Sequence, residues 1–241
     1  MKKIVIYCAL ISLIGGIALA QGALQKETLL ERIKTTPKIT PQQFSKEREE
    51  IKKLNEKKQL EIRENIQKKR EERKVKIDAL KEQLREKIKQ KISAKKQEIV
   101  ERVYERINAL NDLITNHYLN VLDRLEKILE RIESRTAKAK LNGKDVSQVE
   151  TAIEKAHQAI NSAREAVKTQ AEKVYQPPEI TGEEKLKLEV GKLRKQLHDD
   201  LKAVEKLVKE ARDAVRQAAV ALAQIPKVDE LEVATPTQPA Q

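Results

Sequence analysis

Residues Arg70–Ile92 read REERKVKIDALKEQLREKIKQKI. Fourteen of these 23 residues are charged, yet Ile77, Leu80, Leu84, Ile88 and Ile92 recur at steps of three and four. That period places the five on one face of a helix and leaves the other faces to charge. The stripe is only one residue wide, so the reading of the fold turns on what it packs against.

The stripe continues through Ile99, Val103, Ile107, Leu110, Ile114, Tyr118, Val121, Leu125 and Ile128 to Ile132, with Lys95 filling one skipped slot. Its spacing averages about 3.67 residues per step, an eleven-residue rhythm that favours straight or slightly right-handed packing over a left-handed zipper. Neither Pro nor Gly occurs between Gln42 and Asn142. The expectation is therefore one helix of about 100 residues, ~150 Å long at 1.5 Å per residue. Beyond Ile99 the stripe gains flanking partners in Val100, Tyr104, Leu113, Leu119, Leu122 and Leu129. A broad apolar face belongs to a helix with two neighbours and a narrow seam to a helix with one. Residues 45–98 are accordingly expected to project as a stalk, and the helix to enter a bundle near Ile99.

Two further helices supply the neighbours. Asn142-Gly143 is a helix stop, with Gly143 suited to the left-handed residue after a C-cap. Asp145 or Ser147 can cap the second helix, with Gln148 or Glu150 at the third position. The face of that helix is Val146, Val149, Ile153, Ala156, Ile160, Ala163, Val167, Ala171 and Val174, and Pro177-Pro178 end it. Thr181 and Glu184 form a capping box for the third, whose stripe runs from Leu186 to Ile225 before Pro226. Short connections make sequential helices antiparallel neighbours. The fold class is all-α: a long N-terminal helix forming a basic stalk and continuing into an antiparallel up-down-up three-helix bundle over 99–225, with helices at 99–141, 145–175 and 182–225. Residues 226–241 read as a disordered tail.

Composition agrees. The 241 residues are 37% charged and 2% aromatic, which excludes a wide globular core and points to long helices or coiled coil. The N-terminus differs from the rest: MKK, then the apolar IVIYCALISLIGGI, then Ala18-Leu19-Ala20 form a secretory signal peptide over 1–20. The alternative reading is an uncleaved anchor, for which Ile4–Ala20 is slightly short of the roughly 20 residues needed. Cys8, the only cysteine, lies inside that apolar run with Tyr7 before it, a poor lipidation context, so disulfide and thiolate chemistry are excluded from the mature chain. Residues 21–44 read as a short helix, Leu24–Lys34, and a Pro/Thr tether. The chain is expected to be exported to a periplasmic, cell-envelope or extracellular setting, tethered to the membrane if the N-terminus is retained.

Net charge is +12 and unevenly placed. Residues 1–98 hold 26 Lys and Arg against 14 Asp and Glu, whereas residues 99–241 hold 24 of each. The bland reading is a solvated helix, or a homodimer through the stalk seam. The functional reading is a surface for anionic partners: envelope polymers, a membrane surface or acidic protein. Nucleic acid is disfavoured, because no recognised binding motif appears and no aromatics sit in the basic stretch for base stacking.

Catalytic signatures are missing: there is no Gly-rich phosphate loop and no recognisable Ser/His/Asp or Cys/His set. No enzymatic activity, catalytic residue or cofactor is expected. His157 and His198 each lie about 20 residues from the Pro177-Pro178 turn, so a tight hairpin would set them level, with Asp199 beside them as a carboxylate. Against a metal site, both histidines stand one position off the apolar stripe, and His117 lies nearer the far end of the bundle.

The runs NHYLNVLDRLEKILERIESRTAKAKLNGKDVSQVETAIEKAHQAINSAREAV and EITGEEKLKLEVGKLRKQLHDDLKAVEKLVKEARDAV, with LAQIP, resemble uncharacterised exported helical proteins of candidate-phylum bacteria with small genomes. The resemblance covers about half the chain and implies an envelope or extracellular setting without a known activity. In plan the chain is also loosely similar to the periplasmic chaperone Skp, a holdase with basic helical tentacles. That likeness implies the alternative function, a holdase for unfolded exported proteins, although the β-strand body of such chaperones has no counterpart.

Overall fold

A computed structural model describes residues 41–226 and Val228. Four α-helices make up the described chain: α1 Pro41–Ile88, α2 Ala94–Leu141, α3 Ser147–Glu172 and α4 Leu186–Ala223, with a 3-10 turn at Glu183–Lys185 ahead of α4. No strand occurs among the described residues. The signal-peptide reading and all but the end of the tether fall outside them, as does the tail beyond Val228. The last tether residues, Pro41–Phe44, open α1 instead, and Phe44 is buried.

The expected continuous rod is corrected at its midpoint. α1 ends at Ile88, a turn follows, and α2 begins at Ala94. Side-chain contacts show α2 running back along α1: as the α1 position falls from 85 to 55, its α2 partner rises from 101 to 130. Arg85 Nη2 meets Glu101 at 2.7 Å, Lys81 meets Glu105, and Arg70 Nε meets Asp112 at 3.2 Å. Further along, Arg63 Nε donates to Asp123 at 3.1 Å, Gln59 Nε2 to Glu126 at 2.7 Å and Asn55 Nδ2 to Glu130 at 3.1 Å. Residues 45–88 therefore form one leg of a hairpin, not a projecting stalk.

The physical reason lies in the stripe. Extended into water, Leu84, Ile88 and Ile92 would stay wet, and burying each contributes roughly 1.5–3 kcal/mol. Folded back they are 1%, 0% and 7% exposed, packed in one cluster with Val100, Tyr104, Ile107, Tyr175, Ile180, Leu193 and Leu197. The seam on which a homodimer was expected is thus covered by the chain itself. The turn needs no Gly or Pro. Ser93 takes an extended conformation (φ −63°, ψ 150°). The Gln97 side chain then clasps the bend by donating to the carbonyls of Ile92 at 2.8 Å and Lys89 at 3.1 Å. Lys95, the skipped slot in the stripe, sits just after it.

The eleven-residue rhythm holds within α1. Phe44, Asn55, Ile66, Ile77 and Ile88 form one inward row at that spacing, and Ile51, Ile62, Arg73 and Leu84 a second. On α2 burial departs from expectation in part. Of the flanking residues Val100, Tyr104, Leu119, Leu122 and Leu129 are buried and Leu113 is not; of the stripe Ile107, Leu125 and Ile132 are buried, while Ile99 (47%), Leu110 (44%) and Ile128 (44%) stay substantially exposed.

α2 stops as expected. Gly143 has φ 74°, the Gly143 amide donates to Lys140 O and the Lys144 amide to Ala139 O, both at 3.0 Å. This double return satisfies carbonyls that the helix end leaves without partners. The Asp145 carboxylate accepts from the Ser147 amide at 3.0 Å, and α3 follows. Ala156, Ala163 and Ala171 of α3 are all fully buried in the main core, where small side chains let helices approach closely. It ends at Glu172 rather than near 175, and α4 opens at Leu186 rather than 182. The Thr181–Glu184 capping box does not form. Residues 173–182 instead run as a non-helical connector whose Tyr175 and Ile180 are buried in the cluster beside the α1–α2 turn.

The hairpin is directly measurable. Spin labels on Lys52→Cys and Lys127→Cys, in a Cys8→Ser background, report two residues lining one groove between α1 and α2. The expected result is a short distance by electron double resonance, whereas a continuous helix would set the pair roughly 110 Å apart.

Candidate functional site

Three sets of polar side chains decide what this bundle can do: an interior network, the hairpin end and a groove between α2 and α4. The interior network begins with Arg164 on α3, which is 4% exposed. It bridges two carboxylates of α2, Asp123 at 2.9 Å and Glu126 at 2.8 Å. The same carboxylates accept from Arg63 and Gln59 of α1, so one charge cluster ties three helices together. A buried guanidinium is tolerable here because its charge is compensated at two carboxylates.

A second polar layer closes the end of α3. That helix stops inside the body, so its last carbonyls need donors from elsewhere. The Asn111 amide donates to Gln170 O at 3.0 Å, Arg73 to Lys173 O at 3.2 Å and the Tyr104 hydroxyl to Tyr175 O at 2.9 Å. Tyr175 itself takes a hydrogen bond from Gln170 at 2.7 Å and donates to Asp200 on α4 at 2.9 Å. Burial pushes the Tyr175 phenol well above its ordinary value, and Asp200 reinforces that, so it stays a donor. Lys173 completes the group, 2.5 Å from Asp200 and over the Tyr175 ring. Together these bonds tie the connector after α3 to α1, α2 and α4.

The candidate metal ligands are not brought together. His157 contacts Glu133 of α2 through Nε2. His198 lines the α2–α4 groove, which spans Val103 to Tyr118 of α2. Glu133 lies 15 residues beyond Tyr118, so the two histidines sit at levels about 22 Å or more apart along α2. Asp199 is exposed, and it is Asp200 that reaches the interior. The cause is the connector. Symmetric counting from Pro177-Pro178 assumes a tight hairpin, whereas the chain leaves α3 at Glu172 and rejoins a helix only at Leu186, which displaces α4 along the bundle. Among the described residues no group of three or more His, Cys, Asp or Glu side chains is placed to hold a metal ion.

At the hairpin end, residues 87–96 read KIKQKISAKK, five lysines without an acid. Lys87, Lys89, Lys91 and Lys95 are exposed. Lys96 pairs with Glu183 of the 3-10 turn, and the same carboxylate accepts from the Ser93 amide at 3.0 Å. Glu183 thus occupies the N-terminus of α2, where backbone N–H groups and the helix dipole favour an anion. Lys96 and the Ser93 amide hold its carboxyl below the usual glutamate range. Arg85 does the same for Glu101 on the hairpin flank. Along the rest of α1 many cations face acids: Arg63, Lys81 and Arg85 reach α2 carboxylates, and Arg70 and Arg73 share Asp112. No sequence pattern announced these pairings, although basic α1 and the acids of α2 were both visible in the composition.

The groove between α2 and α4 is long and shallow, with an apolar floor of Ile107, Leu110, Ile114, Tyr118, Leu197 and Leu201. Arg106, Arg194, Lys202 and His198 border it with Glu205. No helix among the described residues is long and apolar enough to cross a membrane. With this geometry in place, comparison with protein-family models, characterised proteins and solved structures finds no match.

Two outcomes test these arrangements. Arg164→Met should lower stability to urea by about 3 kcal/mol, because it removes the guanidinium that compensates buried Glu126, and adding Glu126→Leu should recover much of the loss. A second test uses pH. A carboxyl with a depressed folded pKa stabilises above its unfolded value, near 4.3, and loses that contribution as pH falls through the folded value. The Ser93 amide resonance should therefore titrate with an apparent pKa below the ordinary glutamate range, and Glu183→Gln should abolish that titration.

Proposed function

We propose that this chain is an exported, non-catalytic helical protein of the cell envelope, a structural or binding element that meets anionic partners through the lysine-rich end of its α1–α2 hairpin. The observation that carries the reading is the charge left over after folding. Arg63, Arg70, Arg73, Lys81 and Arg85 of α1 are directed at carboxylates of α2, whereas at the hairpin end Lys87, Lys89, Lys91 and Lys95 are exposed within one run that holds no acid. Lys89 lies 3.9 Å from Glu86.

Taken together the helices form an up-down-up-down rod, with helices of 48 residues spanning about 72 Å. A rod with charge at its tip suits bridging, and each lysine close to an anionic surface contributes about 1 kcal/mol. Such contacts are strongly screened by salt. The signal sequence supports export. The absence of a catalytic role is supported by the interior network, whose ionisable groups are engaged in holding helices together.

A second reading, a holdase for unfolded exported chains, is favoured by the apolar floor of the α2–α4 groove and by Leu113 of α2, 65% exposed. The two separate by experiment. The mature protein should co-sediment at low salt with phosphatidylglycerol vesicles or with an anionic wall polymer, and be released at high salt. Lys89→Glu/Lys91→Glu/Lys95→Glu should lose that binding without unfolding. Salt-insensitive binding, or full binding by the triple variant, would remove the proposal, and suppression of client aggregation by that variant would favour the holdase.

A further inference from the structure

We propose that the α2–α4 groove is a docking site for an acidic amphipathic helix of a protein partner. Its floor is apolar, and Leu110 keeps 44% of its surface in water. Three cations border it, Arg106, Arg194 and Lys202; among the described residues none makes a hydrogen bond or a close ion pair, and Lys202 acts on Glu205 through space. The one acid present, Glu205, is paired with Lys209 at 2.6 Å. An apolar channel flanked by unpaired cations is the complement of a helix with an apolar stripe and carboxylates on both shoulders. From Val103 to Tyr118 the groove is about 22 Å long, room for about four turns.

Other occupants fit less well. The chain's own acidic segment, Asp229–Glu232, follows Val228, which packs at the far end of α4 with Ile128 and Leu222. Four residues beyond Val228 span at most ~14 Å. From Ala223 to Glu205 alone is ~27 Å along α4, farther than such a span. A second copy placing its groove on this one would set like cations against each other across a two-fold axis. A bilayer needs a convex apolar surface, and this floor is recessed between two helices.

The test uses the full mature chain and two labelled peptides of about 18 residues. Both carry leucines at helical spacing; one has Glu on its flanks and the other has Lys. The Glu peptide should bind and gain helicity on binding, with the Lys peptide at least about tenfold weaker. Leu110→Glu, and separately Arg194→Glu/Lys202→Glu, should each weaken the Glu peptide by about tenfold or more, and the double variant should prefer the Lys peptide. These positions are exposed, so an unchanged thermal transition would show that the fold is intact. Equal binding of both peptides, absence of binding, or full affinity in Leu110→Glu would overturn the assignment. Lys89→Glu/Lys91→Glu/Lys95→Glu should leave peptide affinity unchanged, which keeps this result separate from the fate of the hairpin-end proposal.

Discussion

The return of α2 along α1 is the constraint on which the rest of the molecule depends. Two contributions hold it, and their sizes differ. The apolar row through Leu84, Ile88 and Ile92 supplies roughly 1.5–3 kcal/mol per buried side chain. The exposed ion pairs of the ladder are worth at most about 1 kcal/mol each. Burial therefore closes the hairpin, and charge selects its alignment. A slip by one residue would break every pairing from Arg85–Glu101 to Arg63–Asp123 and turn part of each inward row to solvent.

That alignment fixes the interior. Glu126 can lie deep in the bundle because Gln59 of α1 and Arg164 of α3 both arrive at its level. α3 can stop short because Arg73 and Tyr104, on the two legs of the hairpin, reach the carbonyls beyond its end. The connector then lies over the hairpin turn, and Glu183 closes the N-terminus of α2. Stability and polarity are not opposed in such a structure. Helices with so little apolar area gain definition from a polar network whose charges are paired, because a mispaired arrangement would leave charges buried.

Folding also redistributes charge. In the sequence the basic half looks uniformly available to an anion. In the fold Arg63, Arg70, Arg73, Lys81 and Arg85 turn to carboxylates of α2, and two cationic places outside those pairs differ in character. The hairpin end is a bare lysine cluster suited to diffuse negative charge, and the α2–α4 groove couples cations to an apolar floor, which demands a shaped partner.

Much of the fold was legible from residue order alone. Helical periodicity marks all four helices, and Asn142-Gly143 and Asp145 place the α2–α3 turn, because these are local properties of backbone and side chain. The turn at Lys89–Ser93 was not read, since it lacks Gly and Pro; its one trace was Lys95 in the skipped slot of the stripe. A narrow seam says that a helix has one partner but not whether that partner is another chain or the next stretch of the same one. Similarly, the spacing of His157 and His198 about two prolines carries no information on the length of non-helical chain between them. Period, caps and charge balance are written in the sequence, whereas the partner of each face, the register of each pair and the cations left unpaired arise only when distant segments meet, because burial and Coulomb attraction depend on distance in space.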